Sequence, residues 1–93
     1  MPRARTQASR AAGQLISAIQ KCWGEELGES VAEVSEEVMG LAHELLQAES
    51  AEQMRAHLGT RTLQEYLGEL WLRRHPQVLP AVRALEGELQ RDV

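Results

Sequence analysis

The chain has 93 residues, a formal net charge of −4, 43% hydrophobic residues and one cysteine. This length limits it to one domain, and a lone cysteine excludes an internal disulfide framework. The hydrophobic fraction argues against intrinsic disorder, and no apolar run approaches the roughly 20 residues of a transmembrane helix. We therefore expect one small domain with a thin core and no membrane span.

Charge is distributed in blocks along the chain. Residues 1–24 contain four basic residues and no acid, whereas residues 25–52 contain nine glutamates and no Lys or Arg. Residues 53–93 are mixed, with six arginines and five acids. The net charge therefore combines a basic first segment with an acidic second one, and these can pair with each other or bind separate partners.

Glycines and prolines divide the chain into five amphipathic segments, none of which alternates as a strand does. The first segment spans roughly residues 5–23, and Gly24 is predicted to end its helix. One face of this helix carries its apolar residues: Ala8, Ala11, Ala12, Leu15, Ile16, Ile19, Cys22 and Trp23. We expect that face to pack in the core.

The second segment spans roughly residues 30–47 and carries most of the glutamates. Ser30 and Glu33 have the spacing of a capping box, which predicts where the helix begins. Its apolar residues alternate spacings of three and four and form a seam: Val31, Val34, Val38, Leu41 and Leu45. A seam of this kind is typical of a helix that packs along another helix at a shallow angle.

The third and fourth segments, roughly 51–58 and 63–74, begin with two further capping-box patterns. These are Ser50 with Gln53 and Thr62 with Glu65, and Gly59 is predicted to end the third helix. On a continuous fourth helix, the inner stripe consists of Leu63, Tyr66, Leu67 and Leu70. Trp71 then lies on the flank of that stripe, and Leu72 points the opposite way.

The fifth segment spans roughly residues 77–91, with a narrow stripe that consists of Val78, Val82, Leu85 and Leu89. Together the segments predict an all-α fold: a small antiparallel bundle of four to five helices with short loops. We interpret residues 5–91 as a single helical domain and residues 1–12 as a basic N-terminal end that frays.

The residue types that carry catalysis or bind metals are few and scattered. His43, His57 and His75 fall on different segments, without the spacing of a metal site. Cys22 is predicted to face the core, where a thiol is inert, and no glycine-rich phosphate loop occurs. We therefore predict no enzymatic activity, no cofactor and no metal.

Protein–protein association is the function that the sequence favours. Tryptophan, tyrosine and arginine dominate binding hot spots, and Trp71, Leu72, Arg73 and Arg74 bring such residues together. We predict a non-catalytic interaction module, either an adaptor, a small subunit or a regulatory domain. Its candidate partner-binding residues are Trp71, Leu72, Arg73, Arg74, Trp23 and Tyr66. The partner is a helix or peptide of another protein, or a second copy in a homodimer; the competing interpretation buries Trp71 and Leu72 between neighbouring helices.

Two other functions compete with this one. Arg3, Arg5 and Arg10, with the Arg73–Arg74 pair, suggest a basic arm for nucleic acid, which the acidic second helix makes less favourable. Residues 1–23 also have the acid-free, amphipathic character of a mitochondrial presequence. Without a secretory signal pattern, we expect an intracellular protein of the cytoplasm or nucleus, with the mitochondrion as the alternative.

Overall fold

The structure, a computed structural model, describes residues 7–48 and 50–90, and every regular element in these ranges is helical. The elements are α1 (Gln7–Glu25), α2 (Val31–Leu46), α3 (Ala51–Leu58), α4 (Leu63–Leu67), α5 (Glu69–Arg74), a 3-10 turn (Pro76–Val78) and α6 (Leu79–Gln90). The all-α prediction is confirmed, with six α-helices in the described ranges rather than four or five. No helix in those ranges is both long enough and apolar enough to cross a membrane.

Helix α1 is the element around which the core is built. It packs against both α2 and α6, and one apolar cluster extends from Ala8 to Leu89. The face predicted for α1 is buried from Ala8 through Cys22, while Trp23 is half-buried. Alanines at the start of this face leave little side chain between α1 and its neighbours, which permits close helix packing.

The N-terminal end of the described chain is helical. Gln7 begins α1, and both Ala8 and Ala12 are buried in the core. Residues 7–12, which lie within the end expected to fray, form the first turns of α1, and burial of Ala8 and Ala12 stabilises these turns. Residues 1–6, with Arg3 and Arg5, lie outside the described residues.

The predicted helix caps have three different outcomes. The Thr62–Glu65 capping box is complete, because each side chain bonds the other residue's backbone N–H, at 3.0 and 2.8 Å. The Ser50 hydroxyl accepts from the Gln53 N–H at 3.2 Å and forms half of a box. Ser30 is wrong as a side-chain cap, since its backbone is already helical and its hydroxyl makes no capping bond. Gly24 does not end α1, which continues to Glu25.

Gly68 divides the predicted fourth helix into α4 and α5. Its φ of +113° lies in a region that L side chains rarely adopt, so the helix is interrupted and resumes with a different phase. Leu70, expected on the inner stripe, is 73% exposed. Trp71 and Leu72 are only 5% and 3% exposed, which agrees with the competing interpretation that buries both residues.

Helix α2 is rotated relative to the predicted seam. Its buried residues are Ala32, Ser35, Val38, Ala42 and Leu45. Val38 and Leu45 belong to the predicted seam, but Val34 is 46% exposed and Val31 and Leu41 are only partly buried. This buried face contains Ser35, whose hydroxyl is hydrogen-bonded to Glu26 and Trp71.

Candidate functional site

A polar network occupies the space between α2, α5 and the turn that follows α1; Ser35, Trp71 and His75 are buried, and Glu26 is half-buried. The Trp71 indole N–H donates to Ser35 Oγ at 2.9 Å, and the Ser35 hydroxyl donates to Glu26 Oε1 at 2.6 Å. Glu26 Oε2 lies 2.6 Å from His75 Nε2, and His75 Nδ1 lies 2.8 Å from the Trp71 carbonyl oxygen. The polar network, Glu26, Ser35, Trp71 and His75, is thus a closed ring that begins and ends on Trp71.

The hydrogen-bond directions fix one proton in this ring. A backbone carbonyl only accepts, so His75 Nδ1 carries a proton, and one further proton lies between Nε2 and the Glu26 carboxyl group. Burial pushes the pKa of Glu26 up, but the hydrogen bonds from Ser35 and His75 and the charge of His75 outweigh it. The pKa of Glu26 therefore lies below its ordinary value, and the carboxylate form of Glu26 is favoured. The imidazole also stacks on the indole, with ring centroids 4.1 Å apart.

The polar network has the residue types of a catalytic triad but not its connections. The Ser35 hydroxyl bonds the carboxylate rather than the imidazole, so the serine–imidazole hydrogen bond of a triad is missing. Ser35 is also fully buried, out of reach of any substrate. This geometry gives the polar network a structural role, in which it fixes α5 against α2.

The remaining candidates for reactive or ligating chemistry are equally enclosed or dispersed. Burial raises the pKa of the Cys22 thiol, whose sulfur accepts from the Gln77 amide at 3.2 Å. Among the described residues, no three His, Cys, Asp or Glu side chains lie together as a metal ion would require.

An open groove runs along the outer side of α2, between that helix and the α4–α5 segment. It has a volume of about 470 Å³ and is lined on one side by Val34, Val38 and Leu41. Leu70 and Trp71 line the other side. Val34 and Leu70 are two of the three large apolar side chains that are exposed among the described residues, and both line this groove. We call it the α2–α5 groove.

The rim of the α2–α5 groove is acidic. Glu37, Glu65 and Glu69 line it, and none of its described lining residues is Lys or Arg. Hydrogen bonds from the Thr62 backbone and hydroxyl, with a smaller effect of the Arg61 charge, hold the pKa of Glu65 below its ordinary value, which favours its carboxylate form. The groove therefore combines an apolar interior with negative charge at its edges.

The structure separates the aromatic and leucine residues that the sequence analysis assigned to partner binding. Trp71 lines the groove with part of its surface and bonds Ser35 with its indole nitrogen. Leu72 is buried in the core. Tyr66 is buried as well, and its hydroxyl donates to the Leu41 carbonyl oxygen at 2.7 Å while lying 3.1 Å from His57 Nε2. Tyr66 thus ties α4 to α2 from the inside.

The other three predicted residues do not line the groove. Arg73 and Arg74 are exposed in the last turn of α5, where positive charge favours the helix C-terminus. Trp23 is half-buried near the end of α1. Their role in binding remains a prediction.

The sequence analysis missed the exposed pair Val34 and Leu70 and the polar members Glu26, Ser35 and His75. One signal was available for Ser35. Small residues recur at helical spacing through it, at Ala32, Ser35 and Ala42, and with Val38 they mark a second possible inner face of α2. Nothing local pairs Glu26 with His75, which are 49 positions apart in the chain.

The chain matches no protein family, no curated protein and no solved structure among those with which it was compared.

Proposed function

We propose that the protein is a non-catalytic interaction module that binds a helix or peptide of another protein in the α2–α5 groove. The observation that carries this proposal is the convergence of Val34 and Leu70 on one open groove, at 46% and 73% exposure. Large apolar side chains gathered at one surface, inside a polar rim, are typical of an interaction site.

The spacing on α2 supports a helical occupant. The residues of α2 that line the groove are Val34, Glu37, Val38 and Leu41, at positions i, i+3, i+4 and i+7. This is the pattern with which one helix contacts another along its length. The structure leaves this outer part of the seam only partly covered, so a second helix can complete it. The described residues form no strand whose edge a peptide could extend, which leaves side-chain recognition as the mode.

Charge favours a different protein over a second copy of this chain. A two-fold symmetric contact through the groove would bring the same glutamates of both copies together. Like charges opposed at an interface weaken it, so a homodimer through this groove is disfavoured. The same carboxylates also repel nucleic-acid phosphates from this side of the molecule.

Site-specific photocrosslinking in the source cell tests the proposal. A photoreactive amino acid is placed at position 70 in the groove and, as a matched control, at position 27, because Leu27 is 61% exposed and does not line the groove. We expect a discrete crosslinked protein from position 70 and none of it from position 27. The same set of products from both positions, or crosslinks only between copies of this chain, would contradict the proposal.

A further inference from the structure

We propose that the α2–α5 groove selects a basic amphipathic helix, one with an apolar stripe flanked by Lys or Arg. This inference rests on the proposed function and names the chemistry of its partner. Three carboxylates line the groove with no Lys or Arg among the described lining residues, so a helix with cations beside its apolar stripe fits it in both charge and hydrophobicity.

The dimensions of the groove set the size of the occupant. From Val34 to Leu41 the lining residues extend over two helical turns, about 10 Å along α2 at 1.5 Å per residue. A partner helix therefore inserts two or three apolar side chains, spaced i, i+3 or i+4 and i+7, between Val34 on one side and Leu70 on the other.

The carboxylates occupy both sides of this stripe. Glu37 belongs to α2, whereas Glu65 and Glu69 belong to α4 and α5 across the groove. Cations on both flanks of a docked helix can thus reach a carboxylate. Each exposed pair contributes only about 0.2–1 kcal/mol, so the charges choose among partners while the apolar contact supplies most of the affinity.

Two synthetic peptides test this directly. Each has about 18 residues, long enough to become helical on binding, and carries leucines at i, i+3, i+4 and i+7. In one peptide arginines flank the leucine stripe, and in the other glutamates replace them. Fluorescence anisotropy at about 0.15 M salt, where the screening length is about 8 Å, measures binding to the full chain. We expect the arginine peptide to bind about tenfold or more tightly than the glutamate peptide, the sum of several exposed pairs.

Variants of the protein locate the binding. Glu37→Lys combined with Glu69→Lys should weaken the arginine peptide about five- to tenfold. The matched control, Glu36→Lys with Glu33→Lys, makes the same charge change at exposed positions of α2 that do not line the groove, and should have a much smaller effect. Leu70→Ser should abolish most binding and Leu27→Ser none, with both variants melting at the temperature of the parent chain.

The outcomes separate this inference from the proposed function. If both peptides bind equally and Leu70→Ser abolishes both, the groove is a docking site but does not select basic partners. If position 70 crosslinks a cellular protein while neither peptide binds, the occupant is not a basic helix, and again only this inference fails. If the arginine peptide binds undiminished to the Leu70→Ser variant, the groove is not its site, and the inference is wrong.

Discussion

The inner and outer faces of α2 have different roles: one packs in the core, and the other lines the open groove. The inner face carries Ala32, Ser35 and Ala42 beside Val38 and Leu45, all buried, and the Ser35 hydroxyl is held by the polar network. The outer face carries Val34 and Glu37, which line an open groove. Small and polar residues thus share the core-facing side of α2, while Val34 is 46% exposed. Directional hydrogen bonds fix the fold on one face, which leaves the other face free to present apolar surface.

Trp71 connects these two regions. Its indole nitrogen and its backbone carbonyl both belong to the polar network, and the residue also lines the groove. Because the network holds Trp71 in place, its contribution to the groove is preorganised, and a partner does not have to order it on binding. The two regions nevertheless differ in what each stabilises, so substitutions in them should have separable effects.

The largest expected difference in stability is between alanine substitutions of Leu72 and Leu70, two leucines of α5. Leu72→Ala removes a side chain that is 3% exposed and should lower the free energy of unfolding by about 2–5 kcal/mol. Leu70→Ala makes the same chemical change at a residue that is 73% exposed and should change it by no more than about 0.5 kcal/mol. Urea denaturation of both variants measures the difference. Equal losses would show that the two positions share one environment and that α5 is not turned as described.

The helix break at Gly68 determines which of those two leucines faces the core, and substitution of Gly68 should have the next largest effect on stability. Gly68→Ala places a Cβ on a residue with a φ of +113° and should destabilise the fold by about 1–3 kcal/mol from backbone strain. Gly40→Ala is the matched control, inside α2 with no atom within 4 Å of the added Cβ, and should stabilise by about 0.5–1 kcal/mol. Thermal melts of the two variants should therefore shift in opposite directions, and a shift of both in the same direction would contradict this assignment.

The sequence predicts the buried face of a helix well where the helical period is uninterrupted and poorly where the helix is broken. The apolar face of α1 was predictable from Ala8 to Cys22, because the helix is uninterrupted and its period holds. In α4 and α5, the same helical periodicity placed Leu70 on the inner side and Leu72 on the outer side, whereas Leu70 is exposed and Leu72 is buried. The break at Gly68 rotates the residues of α5 relative to the direction that a continuous helix would give them. A glycine inside an amphipathic pattern is compatible with either a continuous helix or a break, and only the tertiary packing decides between them.

The candidate site was harder to predict than the fold, for a related reason. A wheel projection assigns large apolar residues to the core, so it placed Val34 inside and gave Ser35 no role. The burial of Ser35 depends on Glu26 and Trp71, which lie 9 and 36 positions away along the chain. Hydrogen-bond partners that are distant in the chain leave no local sequence pattern. With Ser35 buried against those partners, Val34 lies on the other side of α2 and lines the groove.

The smallest expected effect concerns the dependence of stability on pH, which tests the inner face alone. Hydrogen bonds from Ser35 and His75, with the charge of His75, outweigh burial and hold the pKa of Glu26 below its ordinary 4.5 in the folded chain. A carboxylate with a lowered folded pKa stabilises the fold fully above its unfolded pKa, and this contribution is lost as the pH falls through the folded value. The free energy of unfolding should therefore decline from about pH 5 downward, and Glu26→Gln should reduce that decline.

Glu65→Gln is the informative comparison for Glu26→Gln. The pKa of Glu65 is also lowered, through the Thr62 backbone and hydroxyl, but this carboxylate is exposed at the rim of the groove. Water and salt screen the charge of an exposed group. The contribution of Glu65 to the acid-induced fall in unfolding free energy should therefore shrink as salt is added, whereas the contribution of Glu26 should persist. Urea titrations between about pH 3 and 6 at two salt concentrations measure both shares. If the Glu26 share also vanishes with salt, the contact between Glu26 and His75 is as open to solvent as Glu65 is, and the polar network does not close the inner side of α2.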